Sequence, residues 1–205
     1  MVQVERAMSH LYDEALAPNL YFDSHFDIDA VKILPGEYYA TARPMLIITV
    51  LGSCVAACIR DRFSGIGGMN HFMLPAVSDS GEPSNASACY GIYAMEILIN
   101  QLLKMGAQRK NLEAKIFGGG NLLKSFTVAN VGERNSAFVR NYLKLERIPI
   151  VAEDLLDIYP RKIYFFPDQG KVMVKKLIRL HNDTIIQREQ EHNSRLHNEK
   201  VNSGF

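Results

Sequence analysis

Between Met45 and Ile59 the chain reads MLIITVLGSCVAACI, two apolar runs parted by a single Gly52-Ser53 step. Each run is short, and the first is rich in β-branched side chains, the pattern of a buried strand. A membrane-spanning helix needs about 20 consecutive apolar residues, and no stretch of the sequence approaches that length. The same grain continues on both sides. AVKILPGEYYAT (30–41) holds two β-type runs broken by the turn signal Pro35-Gly36. The polar RDRFSG leads into IGGMNHFML, which predicts a β-hairpin. LEAKIF, IPIVAE, RKIYFF and KVMVKKL are further strand candidates, the last two joined by the turn sequence PDQG.

Helical spacing occurs in two places. Ile92, Met95, Ile99, Leu102 and Leu103 recur on one face of a segment from about 87 to 105, with Gly106 as its stop. A second helix is expected to carry Ala137, Phe138, Tyr142 and Leu145 on one side, to start at an Asn130/Glu133 capping pair and to end near Pro149. Strands outnumber helices and hairpin links dominate, so an α+β fold is expected over a doubly wound parallel sheet. Residues 1–30 read as a weakly ordered lead-in, 31–180 as one domain and 181–205 as a polar tail, with an exposed loop from Pro75 to Ser87.

A chain of 205 residues that is 47% hydrophobic and 22% charged can bury an ordinary core. A formal net charge of +1 points to neither a nucleic-acid nor a membrane partner. The N-terminus lacks the apolar centre of a signal peptide, so the cytoplasm is the expected compartment.

The chemistry-bearing residues gather around the Gly52-Ser53 step. Cys54, Cys58 and Cys89 are odd in number and fit no disulfide framework. Cys54 and Cys58 form C-x3-C with no second pair, and His181, His192 and His197 lie in the tail, so no metal site is expected. If the hairpin turn is centred between Arg62 and Phe63, facing residues have numbers summing to 125, and Cys54 faces His71. Facing Cβ atoms lie about 4.5–5.5 Å apart, close enough for a thiol and an imidazole to share a proton.

Gly52 and Ser53 offer backbone N–H groups beside that thiol, the donors an oxyanion hole needs. Thr49 is a candidate third group that orients His71. Two readings stay open on this pattern: a thiolate nucleophile activated by histidine, or a small buried core cysteine. Cys58, among Val55, Ala56, Ala57 and Ile59, reads as core, and Cys89 as an incidental thiol ahead of the first helix. GGGNLLKS (118–125) superficially matches a phosphate loop, but Leu123 stands where that loop needs glycine. Its glycines instead let backbone pass close to a strand or a bound peptide. The three lysines of 171–176 read as a solvated face.

VKILPGEYYAT, TVLGSCVAAC, GGMNHFMLP, YGIYAMEILINQLLKMGA, AKIFGGGN, VGERN and PRKIYF, in that order from Val31 onward, resemble the chemoreceptor glutamine deamidase family, CheD. The resemblance implies a largely antiparallel sheet sandwich flanked by helices, similar to bacterial toxin deamidases. It implies a cysteine hydrolase that converts selected glutamines of methyl-accepting chemotaxis receptors to glutamates, without a cofactor, and a CheC-type phosphatase as partner. The family's catalytic cysteine falls on Cys54 and its histidine on His71. Its threonine stands six positions before the cysteine, whereas Thr49 stands five before Cys54. Many members carry Gly-Gly where this chain has Leu156-Asp157, so the resemblance implies a loop there whose backbone glycine would favour. The same thioester forms from a glutamate methyl ester, so this chemistry also implies a methylesterase side reaction. The competing function is a binding module that regulates CheC or receptors with a dormant cysteine; a thiol protease is disfavoured, since nothing in the sequence supplies an extended cleft.

Overall fold

The computed structural model describes residues 19–75, 85–121 and 131–178, with Gln187, Glu191 and Ser194 beyond them. Its strands are β1 (Leu20–Asp23), β2 (Ile28–Lys32), β3 (Tyr38–Thr41), β4 (Leu46–Leu51), β5 (Val55–Asp61), β6 (Gly67–Asn70), β7 (Leu112–Gly118), β8 (Ile150–Leu155), β9 (Arg161–Phe166) and β10 (Lys171–Lys176). Among the described residues the long helices are α1 (Asn85–Lys104) and α2 (Val131–Leu145). Two five-stranded sheets form, ordered β1-β2-β4-β9-β10 and β3-β6-β5-β7-β8. All neighbours are antiparallel except β2–β4 and β7–β8. The fold is the expected α+β sandwich.

Between β2 and β5 the chain changes sheet at every strand. That weave explains the Gly52-Ser53 step: it is the crossing from β4 in one sheet to β5 in the other. β4 is buried along both faces. Ile47 and Leu51 face the space between the sheets, where they meet Cys54, Ala56, Cys58, Met69, Phe117, Ile163 and Phe165. Leu46 and Ile48 face outward and are covered by Phe26, Ile28 and Tyr164. Alternation along the strand therefore puts Thr49, between Ile47 and Leu51, in the inter-sheet layer. It is fully buried.

Both helices cover the outer face of the second sheet. α1 buries Met95, Leu98, Ile99 and Leu102, and α2 buries Val139, Tyr142 and Leu143. Full burial of such side chains contributes about 1.5–3 kcal/mol each. α1 stops where expected: Gly106 takes φ 106, while Gly106 N donates to Leu103 O and Ala107 N to Leu102 O, a Schellman ending. α2 ends the same way with Arg147 in the left-handed position (φ 56) and Ile148 N bonded to Leu143 O.

Several expectations are corrected. β1 and β2 form a hairpin ahead of the expected start of regular structure. Cys89 lies inside α1, exposed, not before it. The buried side of α2 is Gly132, Asn135, Ser136, Val139, Tyr142 and Leu143. Leu145 is 71% exposed, because the Schellman turn brings Ile148 onto the core in its place. The Asn130 cap, most of the loop after Pro75, Leu123 and most of the tail lie outside the described residues.

Candidate active site

The β5–β6 hairpin is wider than its sequence suggested. Cys58 pairs with Met69, Ile59 with Gly68 and Arg60 with Gly67, and the register resumes at Val55–Phe72. Facing numbers sum to 127, so Cys54 lies across from Met73, and His71 is its diagonal neighbour. The cause is Asp61. Its Oδ1 accepts from Phe63 N (2.9 Å) and Ser64 N (3.2 Å), and the turn closes only at Gly65, at φ 75. Burial pushes the Asp61 carboxyl up, but hydrogen bonds from Gln108, Phe63, Ser64 and Asn111 outweigh it and hold it below the usual range. A shift of two residues preserves the face. Cys54 and His71 remain on the inter-sheet side, and diagonal neighbours about 7–8 Å apart stay within reach of a ring.

Thr49 reaches His71 from the opposite sheet. Its Oγ1 lies 2.8 Å from His71 Nδ1 and donates to Ile33 O at 2.9 Å. A threonine hydroxyl has one proton, and that proton is committed to Ile33. Nδ1 must therefore carry the proton it shares with Thr49, which leaves Nε2 as the basic nitrogen of the neutral ring. Cys54 is fully buried and His71 is 2% exposed. The five-residue spacing from Thr49 to Cys54 does not disturb this, because the two residues lie in different sheets and no single alternation links them.

The turn that presents Cys54 is held through its carbonyls. Gly52 O accepts from Gly120 N (2.7 Å), Ser53 O from Asn135 Nδ2 (2.9 Å) and Cys54 O from Gly119 N (2.7 Å). The glycine run makes this approach possible. A Cβ on Gly118, at φ 112, would stand 2.1 Å from Cys54 O, and one on Gly119 would stand 2.1 Å from Ser136 Oγ. The close backbone approach expected of these glycines is thus to the cysteine's own turn. Every peptide here is trans, so the N–H groups of Ser53 and Cys54 point away from the pinned carbonyls.

On the far side of the glycine run, Leu156 N donates to Gly118 O and Asn121 N to Asp157 O, both within 2.8 Å. Leu156 (φ 69) and Asp157 (φ 75) both adopt the left-handed region, which costs a non-glycine residue about 1–2 kcal/mol. Asp157 is braced by Lys176 at 2.8 Å. Arg161, fully buried, donates to Asp154 and to Leu156 O. Burial lowers its guanidinium's affinity for its proton, opposed by Asp154 and Asp157.

Cys58 shares the inter-sheet layer but sits four residues from Cys54, about 13 Å along a strand, too far to share a metal ion. Burial pushes its thiol far up, only partly offset by Lys115. Two buried residues that strand periodicity does not single out also adjoin the candidate site: Asn135, whose one cue is the VGERN segment, bonds Ser53 O, and Arg161, inside PRKIYF, bonds Leu156 O.

The family model described as CheD chemotactic sensory transduction matches residues 73–176. "Probable chemoreceptor glutamine deamidase CheD" of Thiobacillus denitrificans is 65% identical over 190 residues, covering 92% of this chain and 94% of that protein. The chain belongs to the CheD family. The CheD of a Janthinobacterium species is 63% identical over 195 residues, covering 95% and 96% of the two chains. That of Methylobacillus flagellatus is 62% identical over 196 residues, covering 95% and 97%.

Proposed function

We propose that this CheD-family chain is a protein-glutamine deamidase that acts on chemoreceptors, with Cys54 as nucleophile, His71 as acid and base, and Thr49 as the group that orients His71. The observation that carries the reading is the Thr49–His71 hydrogen bond, in the layer that holds Cys54: with the Thr49 proton on Ile33 O, the imidazole proton sits on Nδ1 and Nε2 is the base. The names of the relatives supply the substrate class.

The chemistry follows from these positions. His71 Nε2 takes the Cys54 proton, and the thiolate attacks the glutamine Cδ carbonyl. The N–H groups of Ser53 and Cys54, directed by their pinned peptides, stabilise the developing oxyanion; Gly52 adds no side chain to obstruct it. The imidazolium returns its proton to the departing nitrogen, so ammonia leaves and a γ-glutamyl thioester remains. Water, deprotonated by His71, hydrolyses the thioester to glutamate and restores the thiol. Cys54 has no exposed surface, so an entering glutamine parts the side chains over it. On this reading the deamidation takes place in the cytoplasm, with a CheC-type phosphatase as partner. Among the described residues no helix is long and apolar enough to cross a membrane.

Ammonia release from a receptor cytoplasmic fragment tests the reading. The wild-type chain releases ammonia and Cys54→Ala does not, although it folds normally by circular dichroism. Undiminished release by Cys54→Ala would falsify the nucleophile assignment.

A further inference from the structure

We infer that Asn135 is a positioning residue that holds open the strand fork in which Cys54 sits. Val55 and Phe72 exchange two backbone hydrogen bonds, each 2.9 Å. In an antiparallel ladder such exchanging pairs recur every second residue, and the next pair in this register is Ser53 with Leu74. In place of a direct rung there, Leu74 N donates to Asn135 Oδ1 at 2.9 Å, and Asn135 Nδ2 donates to Ser53 O at 2.9 Å. One side-chain amide stands in for the rung, with its acceptor toward one strand and its donor toward the other. Its orientation is unambiguous, because Leu74 N can only donate and Ser53 O can only accept.

The inserted amide parts the two segments by more than a direct hydrogen bond would. Cys54 lies between the closed rung at Val55–Phe72 and this wedge, at the throat of the fork. Asn135 also fixes the carbonyl of the Ser53–Cys54 peptide, and so the direction of the Cys54 N–H. It is fully buried, and its reach depends on how close α2 comes. A Cβ on Gly132, one helical turn earlier on the same face, would stand 2.3 Å from Gly119 O. The glycine contact lets the helix descend far enough for Asn135 to enter the ladder.

The inference rests on the reading of Cys54 as nucleophile, and it extends that reading to what shapes the thiol's surroundings. Asn135→Ala lets Leu74 N and Ser53 O close on each other. Per folded molecule we expect its kcat to fall about 100-fold, the order of loss from misplacing a reacting group, with KM within about twofold. Asn135→Asp tests the donor alone. Its ionised carboxylate accepts from Leu74 N but repels Ser53 O; protonated, it mimics the amide. Burial raises a carboxyl's pKa, so the activity of Asn135→Asp relative to wild type rises as pH falls from about 8 to about 6. This variant keeps the shape of the side chain and decides the matter if Asn135→Ala does not fold. A flat ratio across that range, or wild-type kcat in both variants, overturns the inference.

Alkylation of Cys54 by iodoacetamide, followed by peptide mass spectrometry, separates this failure from failure of the functional reading, since it needs no receptor. Slower alkylation in Asn135→Ala supports the fork even if the receptor fragment proves to be the wrong substrate; unchanged alkylation overturns it even if the wild type deamidates.

Discussion

The hydroxyl of Thr49 has one proton and two polar neighbours, and its use of that proton sets the state of His71. Removing the hydroxyl while keeping the shape isolates the effect. Thr49→Val leaves Nδ1 without its acceptor and the ring free to take the other tautomer, and kcat is expected to fall about 100-fold, within the range for general acid–base groups. Thr49→Ser keeps the acceptor and retains most of the activity. A Thr49→Val enzyme with wild-type kcat in a steady-state assay would remove Thr49 from the mechanism. Cys54 and His71 stood out in the sequence because a hairpin sets residues 17 apart across its turn on one face, and a two-residue shift of register keeps them there. Thr49 could be named but not placed, since its contact crosses between sheets and strand alternation carries no information there. Asn135 was less visible still: a helical asparagine signals nothing until the ladder it interrupts is known.

At the scale of elements, the site is three backbone segments pressed together with glycine at the contacts. The turn 52–54 meets the end of β7, which meets the loop after β8. Gly118→Ala would force a left-handed residue to carry a Cβ 2.1 Å from Cys54 O. Strain and clash together are expected to cost about 3 kcal/mol, read as a lower urea midpoint, with activity falling further than stability; an alanine variant as stable as wild type would refute the close approach. The hairpin that sets the register depends on Asp61, which also accepts from Gln108 N at 2.8 Å. Asp61→Asn presents an amide donor to donors and should lose about 1–2 kcal/mol near pH 7. The folded-state carboxyl lies below its unfolded value, so its contribution is full above about pH 4 and fades as pH falls through the folded value. The deficit of Asp61→Asn should therefore shrink in urea unfolding at about pH 3; a deficit independent of pH would contradict the role given to the charge. This carboxylate is also why the register differed from the simplest hairpin. Its side-chain turn adds length to the loop, and a strand pattern of apolar residues does not encode loop length.

At the scale of the whole molecule, the inter-sheet layer is both core and candidate site. Ile47, Leu51, Ile163 and Phe165 from one sheet and Ala56, Cys58, Met69 and Phe117 from the other form one buried apolar cluster that includes Cys54. The α+β class and nearly every strand were legible, because short apolar runs between turn residues have few alternatives. The assignment of strands to two sheets was not, since β2 to β5 weave between them and periodicity is silent about which sheet a strand joins. Leu156 and Asp157 adopt the left-handed backbone that glycine favours; Lys176 bonds Asp157 and Arg161 bonds Leu156 O, a compensation visible only once distant strands are side by side. On the proposed chemistry, the Cys54 thiolate of this sandwich hydrolyses receptor glutamines. Its most direct test is peptide mass spectrometry of a receptor cytoplasmic fragment incubated with the wild-type chain, in ordinary water and in water enriched in oxygen-18. Gains of about one mass unit and about three mass units respectively are expected at the same glutamines, as hydrolysis of a cysteine thioester requires, and no gain with Cys54→Ala. An unchanged fragment with wild type, or the same gain with Cys54→Ala, would contradict it.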